Sequence, residues 1–288
     1  MEAFTARIDR LNSYYLEMNN TNLTKGYVTD HAICASADAV GAYIGRKIFS
    51  WVGTAIGAAC GNPVVAYAGY FIGRRVGSAA GSAAASIGAA WVMDRFVTCC
   101  AMSNSTLELN ENYVISINDP NNLTDGELHN LILVELLKNI NKYVLSDGSL
   151  NYHLLVDDAY MYENQFSPIE NFAIYKEQWI PLAVEQTKRI VNASELLVYN
   201  NSDVFLNVVY NTLIPEVQIS KEEFDNANLL NEKVLSTYIM LDDATLVEFS
   251  KEIDSVIESS ELNIELKNEL KVSNSVLTNS SLIWREVH

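Results

Sequence analysis

The stretch GAYIGRKIFSWVGTAIGAACGNPVVAYAGYFIGRRVGSAAGSAAASIGAA, residues 41–90, decides how the rest of the chain is read. Glycine recurs at every fourth position along two arms. The first arm carries Gly41, Gly45, Gly53, Gly57 and Gly61, with Phe49 interrupting the series; the second carries Gly69, Gly73, Gly77 and Gly81, continued by Ala85. Residues four apart share a helix face, so each arm is expected to be a helix with a groove free of side chains. Between the arms, Asn62-Pro63 combines an N-cap with a proline at the first helical position, ending one helix and opening the next.

Each glycine costs roughly 1 kcal/mol against alanine inside a helix. A run of them is tolerable where two backbones pack closely and gain dispersion and weak Cα–H···O contacts. Antiparallel pairing about Pro63 sets Gly57 against Gly69, Gly53 against Gly73, Phe49 against Gly77 and Gly45 against Gly81. The one bulky residue then faces a glycine, as a knob requires. Ser78 lies off this stripe and is expected to tolerate a larger side chain if its face is open.

The pattern is specific for tight helix packing and less so for membranes. Residues 48–61 are free of charge but make only about 20 Å of helix, short of a hydrocarbon core of about 30 Å. The tip could enter one leaflet without spanning. Arg46, Lys47, Arg74 and Arg75 fall at one level of the paired arms, where four positive charges suit an anionic headgroup surface. The alternative is that they face solvent or acidic helices of the same chain.

Outside the hairpin the chain changes character. Eight of its 19 bases but only six of its 36 acids lie in residues 1–100, so the remainder holds eleven bases and thirty acids. So negative a region repels phosphate backbones and argues against nucleic acid as a partner. With 49% hydrophobic residues the chain can bury a core. An amphipathic segment is expected at 5–18, a linker at 19–24, and a connector at 103–123 with one short strand at 113–117. Thr124-x-x-Glu127 is a capping box for a helix at 128–144, closed by Asp147-Gly148. A second helix is predicted at 150–162. Ser167-Pro168 should open a third that Pro181 kinks or breaks. Further helices are predicted at 202–213, 221–240 (from Ser220-x-x-Glu223), 243–258 and 262–284. The fold class is therefore all-α: a Gly/Ala-rich antiparallel helical hairpin at 33–102, preceded by an amphipathic segment and linker at 1–32 and followed by an acidic multi-helix domain at 103–288. Expressed alone, that last domain is expected to be soluble and predominantly helical.

No Walker loop, dinucleotide fingerprint, H-E-x-x-H or G-x-S-x-G is present, and no catalytic, cofactor or metal residue is assigned. The histidines are His31, His129, His153 and His288. Glu127 and His129, two apart, point away from each other on a helix, and His129 beside Asn130 reads as a helix-surface or interhelix hydrogen-bonding residue. Asp157-Asp158 and Asp242-Asp243 read as caps or surface charge. Cys34, Cys60, Cys99 and Cys100 read as small buried hydrophobes, with a Cys34–Cys99 or Cys34–Cys100 bridge open to an exported protein. The first residues lack a signal peptide, so the chain as written reads as cytoplasmic; a start further upstream would place it in the envelope or outside the cell.

Asp119-Pro120 followed by Gly126-Glu127-Leu128-His129-Asn130 at a helix start resembles an element of uncharacterised bacterial proteins that places it after an Ala/Gly-rich segment. The hairpin itself resembles glycine-zipper segments of bacterial envelope proteins and the hydrophobic hairpins of pore-forming bacteriocins. Those hairpins are usually more apolar and lack an internal Arg pair. The leading expectation, resting on the hairpin, is a non-enzymatic bacterial membrane-interacting, toxin-like or envelope protein, with an anionic membrane or further copies of itself as partner. The other reading is a soluble helical interaction or scaffold protein with the hairpin as internal core.

Overall fold

The computed structural model describes residues 2–18, 78–91, 117, 119, 122–169, 172–194, 202–213 and 219–287. In chain order the helices are α1 (Glu2–Met18), α2 (residues 78–91), α3 (Asp125–Lys138), α4 (Ile140–Tyr143), α5 (Tyr152–Phe166), α6 (Phe172–Ser194), α7 (Ser202–Asn211), α8 (Lys221–Met240), α9 (Asp243–Glu258) and α10 (Ile264–Val287). Among the described residues there is no strand, only an isolated antiparallel bridge between Val144 and Leu150. The protein is all-α.

The caps begin where the sequence placed them. Thr124 and Glu127 close a complete capping box on α3, and Ser220 accepts a hydrogen bond from the Glu223 amide at the start of α8. At the α4–α5 turn Gly148 adopts a φ of 76°, a conformation that disfavours any residue with a Cβ.

Three expectations are corrected. The helix predicted over 128–144 breaks at Asn139, whose side-chain amide donates to the Glu135 carbonyl and to the Tyr162 hydroxyl, leaving α4 as a single turn. Ser167-Pro168 ends α5 instead of opening the next helix. The Asn164 side chain accepts from the Ile169 amide and holds 167–169 in a turn, so α6 starts at Phe172. Pro181 neither breaks nor ends α6, which runs from Phe172 to Ser194. Pro181 is exposed, while Trp179, Ile180, Ala183 and Val184 around it are buried. Their packing offsets the hydrogen bond that proline removes.

Two hydrophobic clusters share α8 and α10. One gathers α2 with α3, α5 and α6 around Leu133, Tyr160 and Trp179, and takes Phe224 from α8 and Ile283 from α10. The other packs Phe4, Ile8 and Tyr15 of α1 against Val234, Tyr238, Phe249 and Leu277. Residues before 103 thus supply part of each core.

Candidate functional site

The Gly126–Asn130 segment opens α3, and all five of its residues are buried. Thr124 Oγ1 accepts from the Glu127 amide at 3.2 Å, while a Glu127 carboxylate oxygen accepts from the Thr124 amide at 2.8 Å and from its hydroxyl at 2.9 Å. With the end fixed, the helical period deals the next residues to different neighbours.

Asp125 and His129, four apart, face α2. Ser78 Oγ donates to Asp125 Oδ1, and Ser82 Oγ lies 2.8 Å from His129 Nδ1. Both pairs are 47 residues apart in sequence, so α2 and α3 run parallel and in register. Gly126 and Asn130 face α10. The Gly126 amide donates to Ser275 Oγ at 3.1 Å and the Asn130 side chain donates to the Asn279 carbonyl at 2.9 Å, again with one common separation. A Cβ on Gly126 would fall 2.2 Å from the Ser275 carbonyl oxygen, so only glycine permits this approach.

Helix α2 is enclosed. Its described residues are all buried except Gly81 and Trp91, which are half-buried, and it carries no charge. Ser78 is fully buried and bonded to Asp125, so its face is not open to a larger side chain. At its far end α2 meets α6, where a Cβ on Gly88 would lie 2.1 Å from Val191 Cγ2.

His129 has no exposed surface, and burial pushes its ring down to about 3. Ser82 Oγ also lies 2.9 Å from the Ala79 carbonyl, which can only accept. One hydroxyl hydrogen serves one acceptor. Both contacts are hydrogen bonds when Ser82 donates to Ala79 and His129 Nδ1–H donates to Ser82, leaving the lone pair of the neutral ring on Nε2.

Two other polar groups lie inside the fold. Asn274 on α10 accepts from the Tyr238 hydroxyl and donates to the Ser250 carbonyl at 3.0 Å and to Asp254 Oδ1 at 2.8 Å, tying α8, α9 and α10 together. Burial raises the Asp254 carboxyl, against the Asn274 hydrogen bond and the Lys271 charge. Tyr160, Glu163, Trp179 and Gln186 are buried between α5 and α6, where burial and the Glu163 charge raise the Tyr160 hydroxyl.

Of the packing glycines named from sequence, Gly81 alone falls among the described residues. Gly41, Gly45, Phe49, Gly53, Gly57, Gly61, Gly69, Gly73 and Gly77 lie outside them, as do Arg46, Lys47, Arg74, Arg75, the four cysteines and nearly all of 113–117. Asp242 caps α9, and its bonds from Thr245 hold its carboxyl below the usual range. Asp157 pairs with Lys176, and Asp158 with Lys142 and the Tyr143 hydroxyl. Glu222, Glu223, Glu265 and Glu269 line a cleft between the starts of α8 and α10, yet no group of three metal-binding side chains converges among the described residues. Nor is any helix among them long and apolar enough to cross a membrane.

The sequence reading passed over Ser82, Ser86 and Gly88. A signal existed: Ser78, Ser82 and Ser86 repeat at four-residue spacing, as do Asp125 and His129. The chain matches no protein-family model, no curated protein and no solved structure.

Proposed function

We propose that this chain is a non-enzymatic bacterial membrane-interacting protein, toxin-like or part of the envelope, that acts through its glycine-rich hairpin and keeps that hairpin sheathed at rest. The observation that carries the reading is the enclosure of α2. A helix without charge and without a solvent-facing side belongs either to the middle of a large fold or to a membrane. Here, apart from Ile87 and Trp91, it is held by small Ser and Ala side chains and hydrogen bonds. Such a seam gives up less apolar burial on opening than one of Leu and Phe. The charges at Arg46, Lys47, Arg74 and Arg75 suit an anionic surface once the hairpin is out.

Sedimentation of the full chain with anionic and with neutral vesicles at pH 7.5 and pH 5 tests this. Binding to anionic vesicles, stronger at pH 5 and weakened by Arg74→Glu/Arg75→Glu, is the expected result. A protein that stays in the supernatant with anionic vesicles at both pH values has no membrane role of this kind. The close fit of Gly88 on Val191 favours the second reading, a soluble helical interaction protein with the hairpin as fixed core.

A further inference from the structure

We propose that the groove between α8 and α9, filled in one chain by its own α1, takes α1 from a second copy, so that two chains pair by exchanging their first helices. The inference is independent of the membrane reading above and names a partner, the chain itself.

The docking of α1 has the form of a ligand in a site. Phe4, Ile8, Leu11 and Tyr15 stand on one face at helical spacing, the arrangement with which an amphipathic helix lies in an apolar groove. Val234 and Tyr238 of α8 and Phe249 and Ile253 of α9 meet them, and the Tyr15 and Phe249 rings lie 4.9 Å apart. Polar groups fix the register. The Asn12 side chain donates to the Lys233 carbonyl at 2.6 Å, while its oxygen accepts from the buried Thr237 hydroxyl at 3.1 Å. On either side of it, Arg7 donates to Ser259 Oγ at 2.9 Å and the Tyr15 hydroxyl donates to Glu252 Oε1 at 3.0 Å. Shifting α1 along the groove by one turn breaks all four bonds. A site keyed in this way selects the sequence of α1 itself, and a second copy carries that sequence.

Connectivity gives a chain's own helix only a limited claim on the groove. The groups that α1 meets lie 221 to 252 residues further along, and residues 19–77 separate α1 from α2. The effective concentration of a tethered helix falls as its tether lengthens. Exchange needs no new surface, because each groove of the pair holds the same side chains and the same bonds as before. Two copies that swap α1 reciprocally form a closed two-fold pair. Protein concentration therefore sets the balance between a helix kept and a helix exchanged.

Carbodiimide cross-linking of the full wild-type chain tests this. The reagent joins a carboxylate to an ammonium group where the two lie close, and Asp9 pairs with Lys233 at 3.1 Å. Unlabelled and isotope-labelled protein are mixed in equal amounts, incubated, linked and digested. Each copy carries a formal net charge of −17, so the mixture is held at about 0.15 M salt, which screens charges more than about 8 Å apart. A link inside one chain joins light to light or heavy to heavy, whereas a link between copies also joins light to heavy. Light–heavy Asp9–Lys233 links are expected, and their ratio to same-isotope links should rise about tenfold per tenfold rise in protein concentration while self-docking dominates. Ile8→Asp, which sets a charge among apolar groove side chains, should remove both kinds of link. Asn12→Ala, run beside it so that misfolding of one leaves the other, should weaken both. Same-isotope links alone at every concentration overturn the proposal, even if the protein is a dimer by another surface. Light–heavy links undiminished in both variants overturn it too, since they report chance collision.

Discussion

Gly126 and Ser275 bring the backbones of α3 and α10 into direct contact: a Cβ on the glycine would stand 2.2 Å from the serine carbonyl oxygen, and the glycine amide donates to the serine hydroxyl at 3.1 Å. No rotamer change relieves a clash with a carbonyl, so the helices themselves must separate. Gly126→Ala is expected to destabilise by about 2–3 kcal/mol despite alanine's better helix propensity. A urea midpoint unchanged from wild type would contradict the contact.

The second glycine contact is softer. A Cβ on Gly88 would meet a side chain, Val191 Cγ2, at 2.1 Å, so a small shift of α6 accommodates part of the methyl group. Gly88→Ala should cost less than Gly126→Ala, about 1 kcal/mol, since propensity returns some of the loss. Ser78→Leu should be far worse, on the order of 2–4 kcal/mol, because it overfills a closed seam and strips the hydroxyl from Asp125. Thermal unfolding of the three proteins gives the order.

Helix α1 is expected to be essential to the second core. Ile8 is fully buried among α8, α9 and α10 residues, and Ile8→Ala should destabilise by about 2–4 kcal/mol. Residues 103–288 expressed alone should keep helical circular dichroism but melt at lower temperature and less cooperatively than the full chain. Equal melting would mean that Phe4, Ile8 and Tyr15 contribute nothing.

Asp254 gives a pH test. Burial holds its carboxyl above the ordinary range, so the folded protein retains a proton at pH values where the unfolded chain has lost it. Ionisation therefore erodes stability as pH rises past about 4. Asp254→Asn keeps an acceptor for Asn274 and cannot ionise. Its melting temperature should exceed wild type at pH 7 and show no advantage at pH 3.

The helices that sequence read well are those whose ends announce themselves. Thr124, Ser220 and Asp242 each cap a helix from the expected position, because a hydroxyl or carboxylate three residues before a free amide is a local feature. Pro168 and Pro181 misled for the converse reason. Whether proline starts, breaks or merely interrupts a helix depends on what its neighbours bury, and Trp179 and Ile180 find partners far along the chain.

The site was legible in part. Gly126 to Asn130 stood out as a motif, and His129 read as either a helix-surface or an interhelix hydrogen-bonding residue. Nothing local says that Asp125 and His129 turn to α2 while Gly126 and Asn130 turn to α10. That division needs two helices at sequence separations of 47 and 149. Whether the Ser78 face is open could not be read either, because a small polar residue off a glycine stripe looks like surface until the helix beside it is known.

The placement of α10 also fixes an order of events during synthesis. Helix α3 has α2 behind it in the chain and α10 well over a hundred residues ahead. A chain emerging from the ribosome can pair Ser78 with Asp125 and Ser82 with His129 early. The Gly126 flank then stays bare for on the order of ten seconds of elongation. Phe4, Ile8 and Tyr15 wait longer still, since α9 and α10 complete their core. A nascent chain interrupted between α3 and residue 264 presents both unfinished faces at once.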